Sequence, residues 1–372
     1  MDEKYDKHKV KKPRVLNRKI VIALIVAVIL VVVISVSLAV TLMPTRTTRE
    51  ARMQTVNDIL DRVPLVDGHN DFPWHIRLDT AINGSLSRLN MSQDLRKVLR
   101  YRAKFHPSQT DIPRIKKGRL GAQFWVSFAP CESQFKDATV KALEQLDLIK
   151  RMIAQYSDVF EFVTTADGIE SAHKSVKVAS LLAVEGGHHI RSSLGVLRMF
   201  YELGVRYMTL TWNCNTPWWA DCNVATRQRK PVHHGLTDFG KIVVKEMNRL
   251  GMMVDLSHVA KENGGIVMVN FYNDFINCSA ENTYTGEQDW RPADINQVID
   301  HIEYIRNITG VDHVGLGSDF DGIDRYPVGL EDVSKFPNIL YELMSRGWSE
   351  EELEKLAGKN FLRVFRKVEE VR

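Results

Sequence analysis

The run Val178-Ala-Ser-Leu-Leu-Ala-Val-Glu-Gly-Gly187 decides how the rest of the chain reads. Its first seven residues carry no charge and are apolar at odd and even positions alike, as in a strand of a parallel sheet covered on both faces. It ends on Glu185, whose carboxylate is costly there unless a cation faces it. Six further apolar runs resemble it: Pro64–Asp67, Gly121–Phe128, Tyr207–Thr211, Met252–Leu256, Ile266–Phe271 and His313–Gly317. The spacing between them is helical. Val140, Leu143, Leu146, Ile149 and Ile153 share one helical face, and Phe239, Ile242, Val243, Met247 and Leu250 share another before a stop at Gly251. Ser349-Glu-Glu-Glu352 opens the last helix as a capping box. From about Met53 onward, strands alternate with helices without linker or repeat, which predicts one α/β domain around a parallel sheet.

Such a sheet is either open or closed, and the polar residues at the strand ends distinguish the two. Four strands finish on acidic or imidazole groups: Asp67-Gly-His69-Asn-Asp71, Glu185-Gly-Gly, Asp255-Leu-Ser-His258 and Gly317-Ser-Asp319-Phe-Asp321. Convergence at one mouth favours a (β/α)8 barrel, whose active sites form at the C-terminal ends of the strands. His69 and Asp71 alternate past a strand end, so both can offer a nitrogen and an oxygen to one metal ion. Alone, the pair reads as readily as a turn with a hydrogen-bonded Asp. Beside Glu185, which can bridge two ions with its two oxygens, and His258 at a similar strand end, a metal becomes the better reading. Asp319 is then placed to take a proton from a metal-activated water and return it to a leaving amine. Asp321 and Asp324 read better as turn residues among glycines, and His188, His189, His233 and His234 sit in loops with no matching strand end, so all six are left out of the site.

Composition is that of a globular chain, with 372 residues of which 44% are hydrophobic and 26% charged. Residues 1–19 hold eight Lys or Arg against three acids, and Ile20 to Met43 follow without a charge. That pattern predicts a basic cytoplasmic tail over 1–19, a transmembrane signal-anchor helix over 20–43 and an extracellular domain over 44–372, a single-pass type II arrangement at the cell membrane. The rest of the chain is close to neutral, so nucleic acid is not an expected partner. Four sequons, at Asn83, Asn90, Asn277 and Asn307, suit a glycoprotein, and four cysteines in an oxidising compartment suggest one or two disulfides.

Glu185-Gly-Gly-His-His-Ile190, followed by Leu197, Tyr201 and Gly204-Val-Arg206, resembles the signature segment of the membrane (renal) dipeptidases. Val66-Asp-Gly-His-Asn-Asp71, Gly121-Ala-Gln-Phe-Trp125, Cys214-Asn-Thr-Pro-Trp218, Val267-Met-Val-Asn-Phe-Tyr272 and Gly317-Ser-Asp-Phe-Asp-Gly322 extend the resemblance from about Arg52 to Phe365. It implies a (β/α)8 TIM barrel of the metal-dependent hydrolase type that cleaves free dipeptides through a hydroxide bridging two zinc ions. His69 and Asp71 would hold one ion and His258 the other, with Glu185 bridging and Asp319 as the acid/base. It also implies a Cys131–Cys214 disulfide, and many members are homodimers.

Two departures stand against full activity. Only seven residues separate His258 from Ile266, where the family carries a further βα unit with a second imidazole and a substrate-gripping Arg. A parallel crossover needs at least ~10–12 residues, so one βα unit is expected to be missing after His258. Cys278 has lost its family partner with that block and is left free or paired with Cys222. Trp212 replaces the family's substrate-binding His, and losing such an oxyanion donor typically costs ~10²–10³ in rate. Three readings stay open: a zinc dipeptidase of impaired activity, a non-catalytic ectodomain with a binding role, and a truncated splice form or faulty gene model.

Overall fold

The computed structural model describes residues 18–79, 82–99, 107–216, 235–258, 265–276 and 292–371. The chain divides into two compact units, Met1–Gln54 and Thr55–Arg372. The first holds most of helix α1 (Arg18–Arg62), whose side chains from Ile20 to Leu38 are largely exposed. The helix runs on past residue 43, the end of the uncharged run. Among the described residues no helix is long and apolar enough to cross a membrane. Cys222, Cys278 and the Asn277 sequon lie outside the described residues.

The second unit is built on eight strands: β1 Leu65–Asn70, β2 Leu120–Phe128, β3 Phe160–Phe162, β4 Val178–Glu185, β5 Val205–Thr209, β6 Met253–Asp255, β7 Val267–Val269 and β8 Val314–Leu316. All pairings are parallel, in the order β6-β5-β4-β2-β1-β8-β7. The seven apolar runs of the sequence supply that path. β3 is an addition to them, pairing with the first half of β4 (Phe160↔Val178 to Phe162↔Ser180) on the edge whose second half takes β5. Its three residues, with Glu161 in the middle, are too few to stand out by pattern. β2 and β4 are buried at every position, as the double-faced apolar pattern requires.

The sheet is curled. β5 and β1 are three steps apart on the path, a separation of roughly 14 Å in a flat sheet, yet the Tyr207 hydroxyl of β5 donates to the Gly68 carbonyl of β1 at 2.8 Å. It does not close. β6 and β7, consecutive in the chain, are the two ends of the path, and no pairing joins them among the described residues. β6 is half-buried throughout and Val267 of β7 is exposed. The expected missing βα unit therefore has its place in the fold as an open seam.

Helices clothe the strands. On helix α2 (Ala138–Gln155) the buried face is Ala142, Leu146, Ile149 and Ile153, whereas Val140 and Leu143, expected on it, are exposed. The helix Asp238–Leu250 buries Val243, Met247 and Leu250 but exposes Ile242, and it stops at Gly251, whose φ of 76° suits a left-handed cap. Ser349 and Glu352 form both bonds of the capping box. The C-terminal helix Asn360–Glu370 brings Phe361 edge-on to Phe124 at 5.4 Å, and Phe124 meets Tyr207 at 5.0 Å. That aromatic column packs beneath the mouth of the open barrel.

Candidate metal centre

The C-terminal ends of β1 and β8 are joined by backbone bonds beyond the strands themselves. Asp319 N–H donates to His69 O at 3.1 Å and Asp71 N–H donates to Phe320 O at 2.9 Å. This brings His69, Asp71 and Asp319 together, with a ligand atom of each within 4.8 Å of the others. His69 Nε2 lies 3.3 Å from Asp71 Oδ2, 3.7 Å from Asp319 Oδ1 and 3.8 Å from Glu185 Oε2. Glu185 reaches across to the neighbouring sector with its other oxygen, 3.1 Å from His258 Nε2. The five residues expected at the mouth thus form one chain of contacts, His69 and Glu185 linking its two halves.

The backbone is bent to achieve this. His258 and Asp319 have φ of 62° and 65°, a left-handed conformation that costs a side-chain-bearing residue of order 1–3 kcal/mol and recurs at functional sites. The Thr211 hydroxyl donates to His258 O at 2.9 Å and holds one of these turns. Gly322 lies so close to the cluster that an added Cβ would fall 2.2 Å from Asp71 Oδ2 and 2.8 Å from Asp319 Oδ1.

Three carboxylates and two imidazoles perturb one another here. Burial, reinforced by the Glu185 and Asp319 charges, pushes Asp71 up to about 7. Asp319 is raised by burial and by Glu185. Burial acts to lower His69, but Asp71, Glu185 and Asp319 outweigh it and raise its pKa. Burial likewise opposes, and Glu185 overrides, the rise at His258. Glu185 stays low despite burial because His258 and His69 face it. Asp71, Asp319 and the two imidazoles are thus shifted toward their protonated forms, and a divalent ion would displace such protons. The donor set fits such an ion. His69 Nε2 and Asp71 Oδ1 are buried without a hydrogen-bond partner, and N and O donors in this mixture suit a first-row metal.

Trp212 sits beside the second half of the cluster, its ring 6.4 Å from that of His258 and edge-on to Phe128 at 4.7 Å. Cys131 and Cys214 are disulfide-bonded. His188 and His189 stay outside the cluster, buried and bonded to the carbonyls of Ala129 and Gly186. Asp321 is no loose turn residue. It is fully buried, accepting from Gln109 N–H at 2.9 Å and lying 3.0 Å from His75 Nδ1. Two further residues support the site. Asn270, at the end of β7, donates to Asp319 Oδ2 at 2.8 Å, and Tyr207 touches His69 Nδ1 at 3.0 Å. The sequence reading singled out neither: Asn270 lies inside the apolar run Ile266–Phe271, and nothing separates Tyr207 from a core aromatic.

A family model described as membrane dipeptidase, peptidase family M19, matches the chain in two pieces, residues 53–263 and 259–372. The break falls where the βα unit is missing. Dipeptidase 3 of Mus musculus is 41% identical over 355 residues, covering 83% of this chain and 65% of the relative, and that of Homo sapiens is 41% identical with 83% and 66% covered. The chain thus spans just under two-thirds of the length of these curated relatives. The 355 aligned positions outnumber the residues in 83% of a 372-residue chain, so the relatives carry residues that this chain lacks. Among solved structures, a probable dipeptidase PvdM from Pseudomonas aeruginosa superposes with a TM-score of 0.71 at 17% identity, covering 87% of this chain and all of its own. A metallopeptidase from Rhodobacter sphaeroides, liganded with a phosphinate mimic of the dipeptide L-Ala-D-Ala, superposes at 0.66 with 22% identity, covering 82% and 99%.

Proposed function

The chain belongs to the membrane dipeptidase family of metallopeptidases, and from that premise we propose that it is a zinc-binding dipeptidase of reduced hydrolytic power, acting on free dipeptides. The observation that carries the reading is the meeting of His69, Asp71, Glu185, His258 and Asp319 at one barrel mouth, with an unpartnered imidazole nitrogen facing carboxylates. His69 and Asp71 would hold one zinc, His258 the second and Glu185 both. Zinc there supplies Lewis acidity, which eases deprotonation of water and polarises a peptide carbonyl. Asp319, held by Asn270 through Oδ2, keeps Oδ1 toward the cluster to accept a proton from the attacking water and pass it to the leaving amine. The second zinc is the weaker, because the residues that would complete it belong to the absent βα unit. Trp212 offers one indole N–H where the family has an imidazole. An N-terminal anchor over the uncharged run Ile20–Met43, with a cytoplasmic tail before it and the barrel domain outside the cell, completes the proposal.

Zinc content per chain, hydrolysis of a simple dipeptide and thermal unfolding of the purified full chain test it together. Zinc binding with slow turnover supports the reading, and two zincs with full turnover would remove the impairment. Glu185→Gln should lower metal occupancy, and unchanged zinc would count against its bridging role. Zinc binding without any turnover, on a cooperative melt, would favour a non-catalytic ectodomain, to which the point change at Trp212 also leans. The open seam favours another reading, an incomplete barrel from a splice form or faulty gene model. Aggregation cured by restoring the segment would support it.

A further inference from the structure

Tyr207 is buried on β5, its ring 5.0 Å from Phe124 below and its hydroxyl at the floor of the metal cluster. We propose that Tyr207 is a positioning residue that keeps His69 protonated on Nδ1 and thereby leaves Nε2 as the nitrogen that holds a metal ion. The inference rests on the reading of His69 as a ligand. A phenol carries one proton. The Gly68 carbonyl, 2.8 Å away, can only accept, so that proton is committed to it. The Tyr207 oxygen is then an acceptor for His69 Nδ1 at 3.0 Å, and Nδ1 must bear the hydrogen. In the opposite tautomer Nδ1 would compete with the carbonyl for a single proton. With Nδ1 filled, a neutral His69 turns the Nε2 lone pair toward Asp71, Asp319 and Glu185, three carboxylates with no donor among them. A metal ion between them would satisfy that nitrogen and those oxygens together. A metal ion held by the Nε2 lone pair would leave Nδ1 unchanged, so the tyrosine bond would serve the empty and the loaded site alike. Such partners of a ligating imidazole fix its ring and its tautomer.

The experiment uses the full chain in detergent. Zinc affinity is measured by competition with a chromophoric chelator for wild type, Tyr207→Phe, Phe124→Leu and His69→Ala, alongside the thermal melt of each metal-free chain. Tyr207→Phe keeps the ring and removes the oxygen, and it is expected to weaken zinc binding by about 10–100-fold. Phe124→Leu loosens the packing under the ring but spares the hydroxyl, so it should lower the melt while zinc affinity stays within about twofold. Equal weakening in both variants would reduce Tyr207 to a packing residue and overturn the proposal, as would wild-type affinity in Tyr207→Phe. If His69→Ala binds zinc like wild type, the ligand reading itself fails. If His69→Ala loses zinc and Tyr207→Phe does not, only the present inference fails. Should Tyr207→Phe not fold, the ¹⁵N signals of His69 in the zinc-loaded wild type decide, and zinc on Nδ1 rather than Nε2 refutes it.

Discussion

Gly322 occupies a position that no side chain can share with a loaded site. A Cβ there would overlap Asp71 Oδ2 and crowd Asp319 Oδ1, so Gly322→Ala must push those carboxylates out of the arrangement that faces His69. The expected result is zinc affinity lower by about 10–100-fold, the range seen when the surroundings of a metal ligand are disturbed, with the metal-free melt little changed. Chelator competition and calorimetry read both. Arg114 is a stability case. Buried with Asp111 and 3.4 Å from Asp332, it balances a carboxylate that is fully enclosed and also accepts from the N–H groups of Arg114 and Leu95. Arg114→Met would leave that charge unpaired at a cost of about 3–5 kcal/mol, and a denaturation midpoint that hardly moves would contradict it. The sequence exposed His69, Asp71, Glu185, His258 and Asp319 because each closes an apolar strand, a pattern read without coordinates. It hid Tyr207 because a hydroxyl in the middle of a strand looks like core until its partners are known.

Helices flanking the barrel are tied by charges whose worth depends on pH. Glu246, on the helix Asp238–Leu250, accepts from Arg249 of its own helix and from Arg198 of the helix Leu194–Glu202 at 2.5–2.8 Å. The hydrogen bond from Arg249, then that from Arg198, depresses its pKa to about 2 against partial burial. A depressed acid contributes stability that is present above its unfolded pKa and is lost as pH falls through the folded one. The clip should therefore act fully at pH 7 and fade between about pH 4.5 and 2. Because it lies near the surface, its worth is about 1 kcal/mol or less. Glu246→Gln should melt below wild type at pH 7, and the gap should narrow at pH 3. A gap that widens on acidification would reverse the sign of this argument. The same helix shows the limit of periodicity: its spacing gave the element and its stop at Gly251, but Ile242 matched the apolar face and still points to solvent. Amphipathic spacing locates a stripe to within a residue's width, and the partner element decides which flank of it is covered.

For the second unit taken whole, the seam between β6 and β7 is the governing feature. The shortness of the His258–Ile266 link was legible, since a parallel crossover cannot be made in seven residues. What could not be read was the outcome, in which the remaining strands keep their order and the sheet stays open instead of re-pairing across the gap. Among the described residues no strand pairs with the outer edges of β6 and β7, and Val267 adds an exposed apolar side chain, 42% accessible. Exposed edges of this kind template pairing with another chain unless charge or cover blunts them. Val267-Met268-Val269 of β7 carry no charge. The compact unit Thr55–Arg372 is therefore expected to self-associate with rising concentration, and Val267→Lys, a charge on the edge, should shift it toward monomer without reducing the zinc it binds. Light scattering across a concentration series reads the first and metal analysis the second. A unit that stays monomeric at tens of micromolar would mean that the seam is covered from within. Association that Val267→Lys leaves untouched would place the contact elsewhere. Restoring a βα unit of the relatives' length between His258 and Ile266 should supply the missing neighbour for both edges at once, abolishing association together with the deficit at the second metal. Because one insertion would have to repair two separate measurements, the seam and the weakening proposed for the second metal would then share a single structural cause.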